Sequence, residues 1–270
     1  MQKISKIPVF GEKSDDVKTL QKALNATGLV AHLEVDGDFG PLTRASVSRF
    51  QYIKGLPGSG IIGPQTIEFL GIAVNQEKDQ KTKAPWFWKL KSYEGKGETD
   101  KAFVKEMSFF WKFVGLPGFK TIIGNSFAWC GLFVAVGLVA TNVDWQKNGA
   151  GAKNWDKFGQ AIEWQKNGFP QGAIIRINHK ANCGSGSGNH VTLSNGDCSA
   201  NDLKKENATF SGFGGNQGNK AKVSTYPVKN ICAVRWPLKS ESGEAIPLPG
   251  PVLESKNCSN GKTDKKESTR

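Results

Sequence analysis

A run of apolar residues from Phe127 to Ala140 most constrains how this chain can fold. It is apolar on nearly every side, which is typical of a helix buried in a protein core. It is also shorter than the roughly 20 residues that a membrane span needs. Ser126 precedes it and is a suitable N-cap. The sequence therefore predicts a buried helix that begins beside Cys130, near the positive end of the helix dipole, where a thiol pKa is lowered and the thiolate is favoured.

Cys130 has a simpler alternative, because most buried free cysteines are small core side chains. The chain has five cysteines, an odd number, and none is spaced as C-x-x-C. In a chain of 270 residues this pattern favours a protein of a reducing compartment with at least one free thiol over a disulfide scaffold.

The net charge of +12 indicates a polyanionic partner, such as an anionic membrane or a bacterial wall. The basic residues are spread singly, without Arg-rich runs or a nucleic-acid motif, so we expect no nucleic-acid partner. No apolar segment follows the basic N-terminus as a secretion signal would. We therefore expect synthesis in the cytosol, with outside help for any export, and no membrane partner.

Residues 14–72 have the pattern of three short helices. Ser14 is a suitable N-cap for a helix with apolar residues at helical spacing. Pro41 and Pro64 each stand where a proline opens a helix without losing a hydrogen bond. Glycines and aspartates between the helices provide turns.

The motifs of this unit resemble the three-helix peptidoglycan-binding domain of cell-wall hydrolases. They are Val17-x-x-Leu20-Gln21-x-x-Leu24, Val35-Asp36-Gly37-Asp38-Phe39-Gly40-x-x-Thr43, Phe50-Gln51 and Gly55-Leu56-x-x-x-Gly60. The resemblance implies binding to wall glycan or stem peptide, with Asp36, Phe39, Thr43 and Gln51 as the expected binding residues. A calcium loop at Asp36 is rejected, because its twelfth position holds Val47 in place of glutamate. A helical bundle without a ligand is the remaining alternative.

The rest of the chain changes from helical to strand patterns, and we predict an α+β fold. Residues 10–73 form the binding unit, a polar linker covers 74–84, and a second domain covers 85–238. Helices come first in that domain, and alternating strands follow after residue 170 to form an antiparallel sheet. Residues 239–270, which are rich in proline and charge, are predicted to be a flexible tail.

A thiolate nucleophile requires a base, and the chain has three histidines. His32 lies in the binding unit and His179 in a polar loop. His190 follows a Gly/Ser-rich loop and begins a strand in which Val191 and Leu193 alternate with polar residues. This placement favours His190 as the base.

Five short motifs in the second domain together resemble the CHAP and NlpC-like superfamily of papain-like wall hydrolases, and most closely its phage endolysin members. They are Ala128-Trp129-Cys130-Gly131, Asn154-Trp155, Gly172-Ala173-Ile174-Ile175, Gly188-Asn189-His190-Val191 and Gly214-Gly215-Asn216-Gln217. The resemblance implies a papain-like fold, with Cys130 as nucleophile and His190 as base. Asn216 takes the third position, which in the family holds Asn, Glu, Asp or His. No cofactor is implied, and we expect a monomer.

The two resemblances imply an endolysin that cleaves an amide bond of peptidoglycan and stays in the host cytoplasm until it is released to the wall or periplasm. A toxin delivered by a secretion machine is an alternative. Basic loops around the expected cleft favour a peptide endopeptidase over an N-acetylmuramoyl-L-alanine amidase, because stem peptides carry carboxylates.

Two other classes of function are open at this point. A zinc site could use His179, Cys183, His190 and Cys198, although their spacing matches no standard zinc motif. A wall-binding protein without catalysis is also possible. We expect no metal and a hydrolase.

Overall fold

The structure is a computed structural model. It describes residues 2–5, 7–8, 10–56, 58–74, 84–113, 128–141, 143–240, 243 and 245–259. Ser126, most of the predicted linker and residues 260–270 lie outside these ranges. The chain forms a helical N-terminal unit followed by helices and an antiparallel sheet.

The N-terminal unit contains the three predicted helices and its own hydrophobic cluster. The helices are α1 (Asp15–Ala26), α2 (Pro41–Ile53) and α3 (Pro64–Phe69). Ser14 caps α1 by accepting a hydrogen bond from the backbone N–H of Val17, as predicted. Two strands of three residues, β1 (Gln2–Ile4) and β2 (Ile72–Val74), pair in parallel and join the ends of the unit. They were not predicted, because three residues are too few for an alternating pattern to be visible.

Within the described ranges, the second unit contains five α-helices and a six-stranded sheet, and its central helix packs against two of the strands. Its helices are α4 (Pro85–Lys91), α5 (Lys101–Phe113), α6 (Cys130–Ala140), α7 (Trp164–Asn167) and α8 (Ala200–Leu203). Its strands are β3 (Gln160–Ala161), β4 (Ile174–Asn178), β5 (Asn189–Ser194), β6 (Thr209–Gly214), β7 (Lys222–Pro227) and β8 (Ile231–Trp236). The sheet order is β3-β8-β4-β5-β6-β7, and every neighbouring pair is antiparallel. The α+β class with an antiparallel sheet is therefore confirmed.

The helix α6 is buried along its whole length of 11 residues, as its apolar sequence predicts. It begins at Cys130, and Trp129 is its N-cap residue without a side-chain cap. Ser126, the predicted N-cap, lies outside the described residues. The first turn is fixed by close packing instead: a Cβ added at Gly131 would lie 1.8 Å from the carbonyl oxygen of Gly149.

Two disulfides pair four of the five cysteines. Cys183 is bonded to Cys232 and Cys198 to Cys258, with Cα atoms 5.4 Å and 4.9 Å apart. Cys130 is the free cysteine. The expected free thiol is thus confirmed. The two bonded pairs are more typical of oxidising environments than of the reducing compartment that the sequence favoured.

The second disulfide also corrects the prediction of a flexible tail over 239–270, because residues 245–259 lie against the second unit. The backbone N–H of Val252 donates to the carbonyl of Asn167 at 2.8 Å, and that of Lys256 donates to Asp197 at 2.8 Å. The bridge to Cys258 holds the end of this segment, which composition alone could not indicate.

The two units touch through a buried polar cluster and through close backbone contacts. Arg44 of α2, Lys89 of α4 and Glu106 of α5 are all buried, and the Tyr93 hydroxyl donates to Glu106 Oε1 at 2.8 Å. A Cβ added at Gly63 of the first unit would lie 1.6 Å from a backbone oxygen of α6 in the second. The units are therefore in direct contact.

Candidate functional site

Cys130 is 2% exposed at the start of α6. Burial raises the pKa of its thiol above the usual value, and the backbone N–H groups of Val191, Gly131 and Cys130 act in the opposite direction with less effect. The prediction of a lowered thiol pKa is therefore wrong for this conformation. The loss of hydration outweighs the position at a helix start, so the resting group is a neutral thiol.

His190 is fully buried on β5, beside the rings of His179 and Tyr226. The ring centroids are 6.0 Å and 5.9 Å from that of His190. Burial lowers the pKa of His190 to about 3, and the neighbouring His179 adds to the effect. Within the described part of the chain, neither ring nitrogen of His190 has a hydrogen-bond partner. The imidazole is therefore neutral and its nitrogens are unused.

Cys130 and His190 approach β5 from different sides. Leu193 pairs with Phe213, whose ring lies 5.9 Å from that of Phe133 in α6, so Leu193 faces the helix. Side chains alternate along a strand, which places His190 on the opposite face. The thiol of Cys130 nevertheless reaches the N–H of Val191, the peptide that joins it to His190. The two groups are thus neighbours across one strand without a thiol–imidazole hydrogen bond.

Asn216 lies in the turn between β6 and β7 and is 7% exposed. Its φ of 57° is in the left-handed region, which asparagine tolerates better than most residues. The preceding Gly215 contacts the start of α6, since a Cβ there would lie 2.4 Å from the ring of Trp129. The turn is therefore near the residue before Cys130, and a catalytic role for Asn216 stays a prediction.

Sequence reasoning missed Glu98 as part of this region. The indole Nε1 of Trp129 donates to Glu98 Oε1 at 3.1 Å. The loop that carries Glu98 is fixed to the end of the β6–β7 turn, because its backbone N–H donates to the carbonyl of Asn219 at 3.1 Å. A buried tryptophan requires an acceptor for its N–H, which is the signal that could have indicated such a partner.

The zinc alternative does not fit the side chains that the structure brings together. Cys183 and Cys198 are both in disulfides, so neither can supply a thiolate. Among the described residues, no group of three or more His, Cys, Asp or Glu side chains is arranged to hold a metal ion.

The four predicted wall-binding residues take part in the internal structure of the helical unit. Phe39, Thr43 and Gln51 are buried, and Asp36 is exposed. Asp36 Oδ1 accepts a hydrogen bond from Gln21 Nε2 at 2.7 Å, which together with the Asp38 amide lowers the Asp36 pKa. Their role in binding the wall stays a prediction.

Two glutamines hold the turns of this unit in the same way. Gln21 Oε1 accepts from the N–H of Gly37 at 2.9 Å, and its Nε2 lies 3.1 Å from Thr43 Oγ1. One helix later, Gln51 Oε1 accepts from the N–H of Gly60 at 2.8 Å, and its Nε2 lies 3.0 Å from Thr66 Oγ1. We call these two arrangements the glutamine clamps. They explain physically why glutamine stands at both positions.

Residues 13–70 match the family model of a peptidoglycan binding domain. Over 57 residues the chain is 44% identical to the zinc D-Ala-D-Ala carboxypeptidase of Streptomyces albus G, and this alignment covers 21% of this chain and 22% of that protein. Over 55 residues it is 44% identical to an uncharacterised protein in the bpoA1 3′ region of Kitasatospora aureofaciens, which covers 20% of this chain and 47% of that protein. No solved structure matches the chain.

The chain spans less than half the length of these two relatives. The family match supports peptidoglycan as a partner and stops before Cys130 and His190. No helix in the described ranges is long and apolar enough to cross a membrane.

Proposed function

We propose that this chain is a peptidoglycan hydrolase that cleaves an amide bond with Cys130 as nucleophile and His190 as base. One observation carries the proposal: the chain joins a peptidoglycan binding domain to a unit whose free cysteine starts a buried helix beside the strand of His190. The motifs around both residues resemble the papain-like CHAP and NlpC-like hydrolases, and we extend that fold and chemistry to residues 85–238.

The proposed reaction starts from a neutral pair. His190 takes the proton of Cys130, and the sulfur attacks the carbonyl carbon of the wall amide. The backbone N–H of Cys130 at the helix start stabilises the oxyanion. His190 then gives its proton to the leaving amine, and water hydrolyses the thioester. Asn216 is the proposed third residue, which orients the imidazole.

The reaction requires the imidazole to move from the opposite face of β5 to the Cys130 thiol when substrate binds, because the two groups are not hydrogen-bonded to each other at rest. Catalytic hydrogen bonds often form only in the substrate complex. A wall-binding protein without catalysis is the second candidate, and the neutral, unconnected pair is the observation that favours it.

Digestion of purified peptidoglycan separates the two candidates. Wild type, Cys130→Ala and His190→Ala are compared, with His32→Ala as a control because His32 is exposed in the other unit. We expect both site variants to lose activity by at least roughly a thousandfold and the control to keep it. Full activity of Cys130→Ala would refute the mechanism, and an inactive wild type that still sediments with insoluble wall would support the second candidate.

We further propose a peptide endopeptidase over an amidase, because the loops around the site are rich in lysine and stem peptides carry carboxylates. Mass spectrometry of the digest tests this choice. New amino termini within the stem or cross-bridge peptides are expected. Release of whole stem peptides from the glycan would show the amidase reaction instead.

The proposed setting is a phage endolysin that acts in the wall or periplasm after release from the host cytoplasm. The two disulfides support an oxidising destination. The neighbouring genes test the setting: a holin gene is expected, whereas an immunity gene would indicate a secreted toxin.

A further inference from the structure

A groove of about 760 Å³ runs between the helical unit and α5. Its residues come from both units: α2 supplies Arg44, Arg49 and Tyr52, and α5 supplies Lys105. Phe10 forms part of the floor. The groove therefore exists only where the two units meet, and none of the four predicted wall-binding residues lines it.

The charge of this groove is positive. Of the described residues that line it, three are cations, Arg44, Arg49 and Lys105, and none is acidic. The Arg44 guanidinium lies 5.0 Å from the centre of the Phe10 ring and the Lys105 ammonium 5.6 Å from it. Arg44 is buried and faces Glu106, so the exposed Arg49 and Lys105 supply the charge available to a ligand.

The uncharged surface of the groove is mostly apolar. Tyr52 is 71% exposed, and the side chains of Pro41 and Ala45 are also exposed. Ser48 and Tyr52 are the uncharged lining residues with hydroxyls, and that of Ser48 already donates to the carbonyl of Gly58 at 2.6 Å. A neutral sugar chain requires many hydrogen-bonding partners, which this surface does not supply.

We infer that this groove binds the stem peptide of peptidoglycan, with Arg49 and Lys105 at its carboxylates and Tyr52 against its apolar side chains. The inference rests on the proposed wall-directed function. A stem peptide combines methyl groups with carboxylates at short spacing, which matches an apolar floor between cations. The enzyme would then hold one stem peptide here while its catalytic unit acts on another.

Calorimetric titration of the full chain tests this inference, in a Cys130→Ala background so that no probe is cleaved. The probes are the tripeptide L-Ala-γ-D-Glu-meso-diaminopimelate and a neutral four-sugar chain of N-acetylglucosamine. The double variant Arg49→Gln/Lys105→Gln is compared with Lys22→Gln/Lys166→Gln, which removes two exposed charges outside the groove.

We expect the groove variant to bind the tripeptide roughly tenfold more weakly, since two exposed charge contacts are lost, and the control to bind normally. Tyr52→Ala should also weaken binding of the tripeptide. Three results would each overturn the inference. The groove variant and the control could bind the tripeptide equally well. The unmodified groove could fail to bind the tripeptide at millimolar concentration, or it could bind the sugar chain instead. If one of these results is found and the wild type still digests wall, only the groove assignment is refuted. A wild type that neither digests wall nor sediments with it refutes the proposed function.

Discussion

Lys89 offers a test of how burial acts at the contact between the two units. Its ammonium is buried, lies 5.1 Å from the centre of the Tyr93 ring, and has no hydrogen-bond partner in the described residues. Burial lowers its pKa from 10.5 to about 8, and the attraction of Glu106 opposes this effect. An ammonium that gives up its hydration without a partner weakens the fold.

The lowered pKa of Lys89 means that the unfolded chain binds this proton more tightly than the folded chain. Charged Lys89 therefore destabilises the fold fully below pH 8, and this loss disappears as the pH rises from 8 to 10.5. The difference between the two pKa values corresponds to about 3 kcal/mol. The attraction of Glu106 is already included, because it contributes to the folded-state pKa.

Lys89→Met removes the charge and keeps a side chain of similar length. We expect its free energy of unfolding to exceed that of the wild type by about 2 to 3 kcal/mol near neutral pH, and by less than about 1 kcal/mol near pH 10. Urea unfolding followed by tryptophan fluorescence at both pH values measures this. Lys91→Met on the same helix is the matched control, because the half-buried Lys91 has partners, Glu94 and the Phe213 ring, and its removal should not stabilise the fold.

Two results would refute this reasoning. One is that Lys89→Met is less stable than the wild type near neutral pH. The other is that the stability difference between them is the same at both pH values, which would mean that the Lys89 proton is bound equally in the folded and unfolded chains.

Two further variants test contacts at α6. Glu98→Gln weakens the acceptor for the indole of Trp129, so wall digestion should slow by roughly tenfold with an unchanged melting temperature. Glu94→Gln, which changes an exposed carboxylate, is the control. Equal digestion rates for the two variants would contradict a positioning role of Glu98. Gly63→Ala places a Cβ 1.6 Å from a backbone oxygen and should lower the free energy of unfolding by roughly 1 to 3 kcal/mol in thermal denaturation. A Cβ at Gly186 would meet open space, so Gly186→Ala should not lower the free energy of unfolding. Similar losses of stability in the two variants would contradict the packing argument.

Local signals were sufficient to predict most elements of the fold. Ser14, Pro41 and Pro64 mark the starts of α1, α2 and α3, and alternation located the main strands to within a few residues. At α6 the described N-cap residue, Trp129, makes no side-chain cap, and the helix is held by burial on all sides. The disulfides could not be predicted from the sequence either. They join cysteines that are 49 and 60 residues apart, and spacing alone does not specify such pairs.

The site shows the same division between local and distant causes. The family resemblance implied that Cys130 and His190 act as a pair, and the Cys130 thiol lies at the backbone N–H of Val191, the residue after His190. Their protonation could not be predicted from the sequence, since it depends on burial by distant residues. Position at a helix start indicated a thiolate, whereas loss of hydration gives a neutral thiol beside a neutral imidazole.

The glutamine clamps give the helical unit an internal repeat whose two occurrences share the middle helix. Gln21 with Gly37 and Thr43, and Gln51 with Gly60, are two copies of one device: a helix, a clamped turn and a proline-started helix. A helix of this length is marginal by itself in water. Thr43 at the start of α2 belongs to the first clamp and Gln51 near its end belongs to the second. The two clamps therefore fix both ends of one helix, and this middle helix is held in place by its turns as well as by its apolar face.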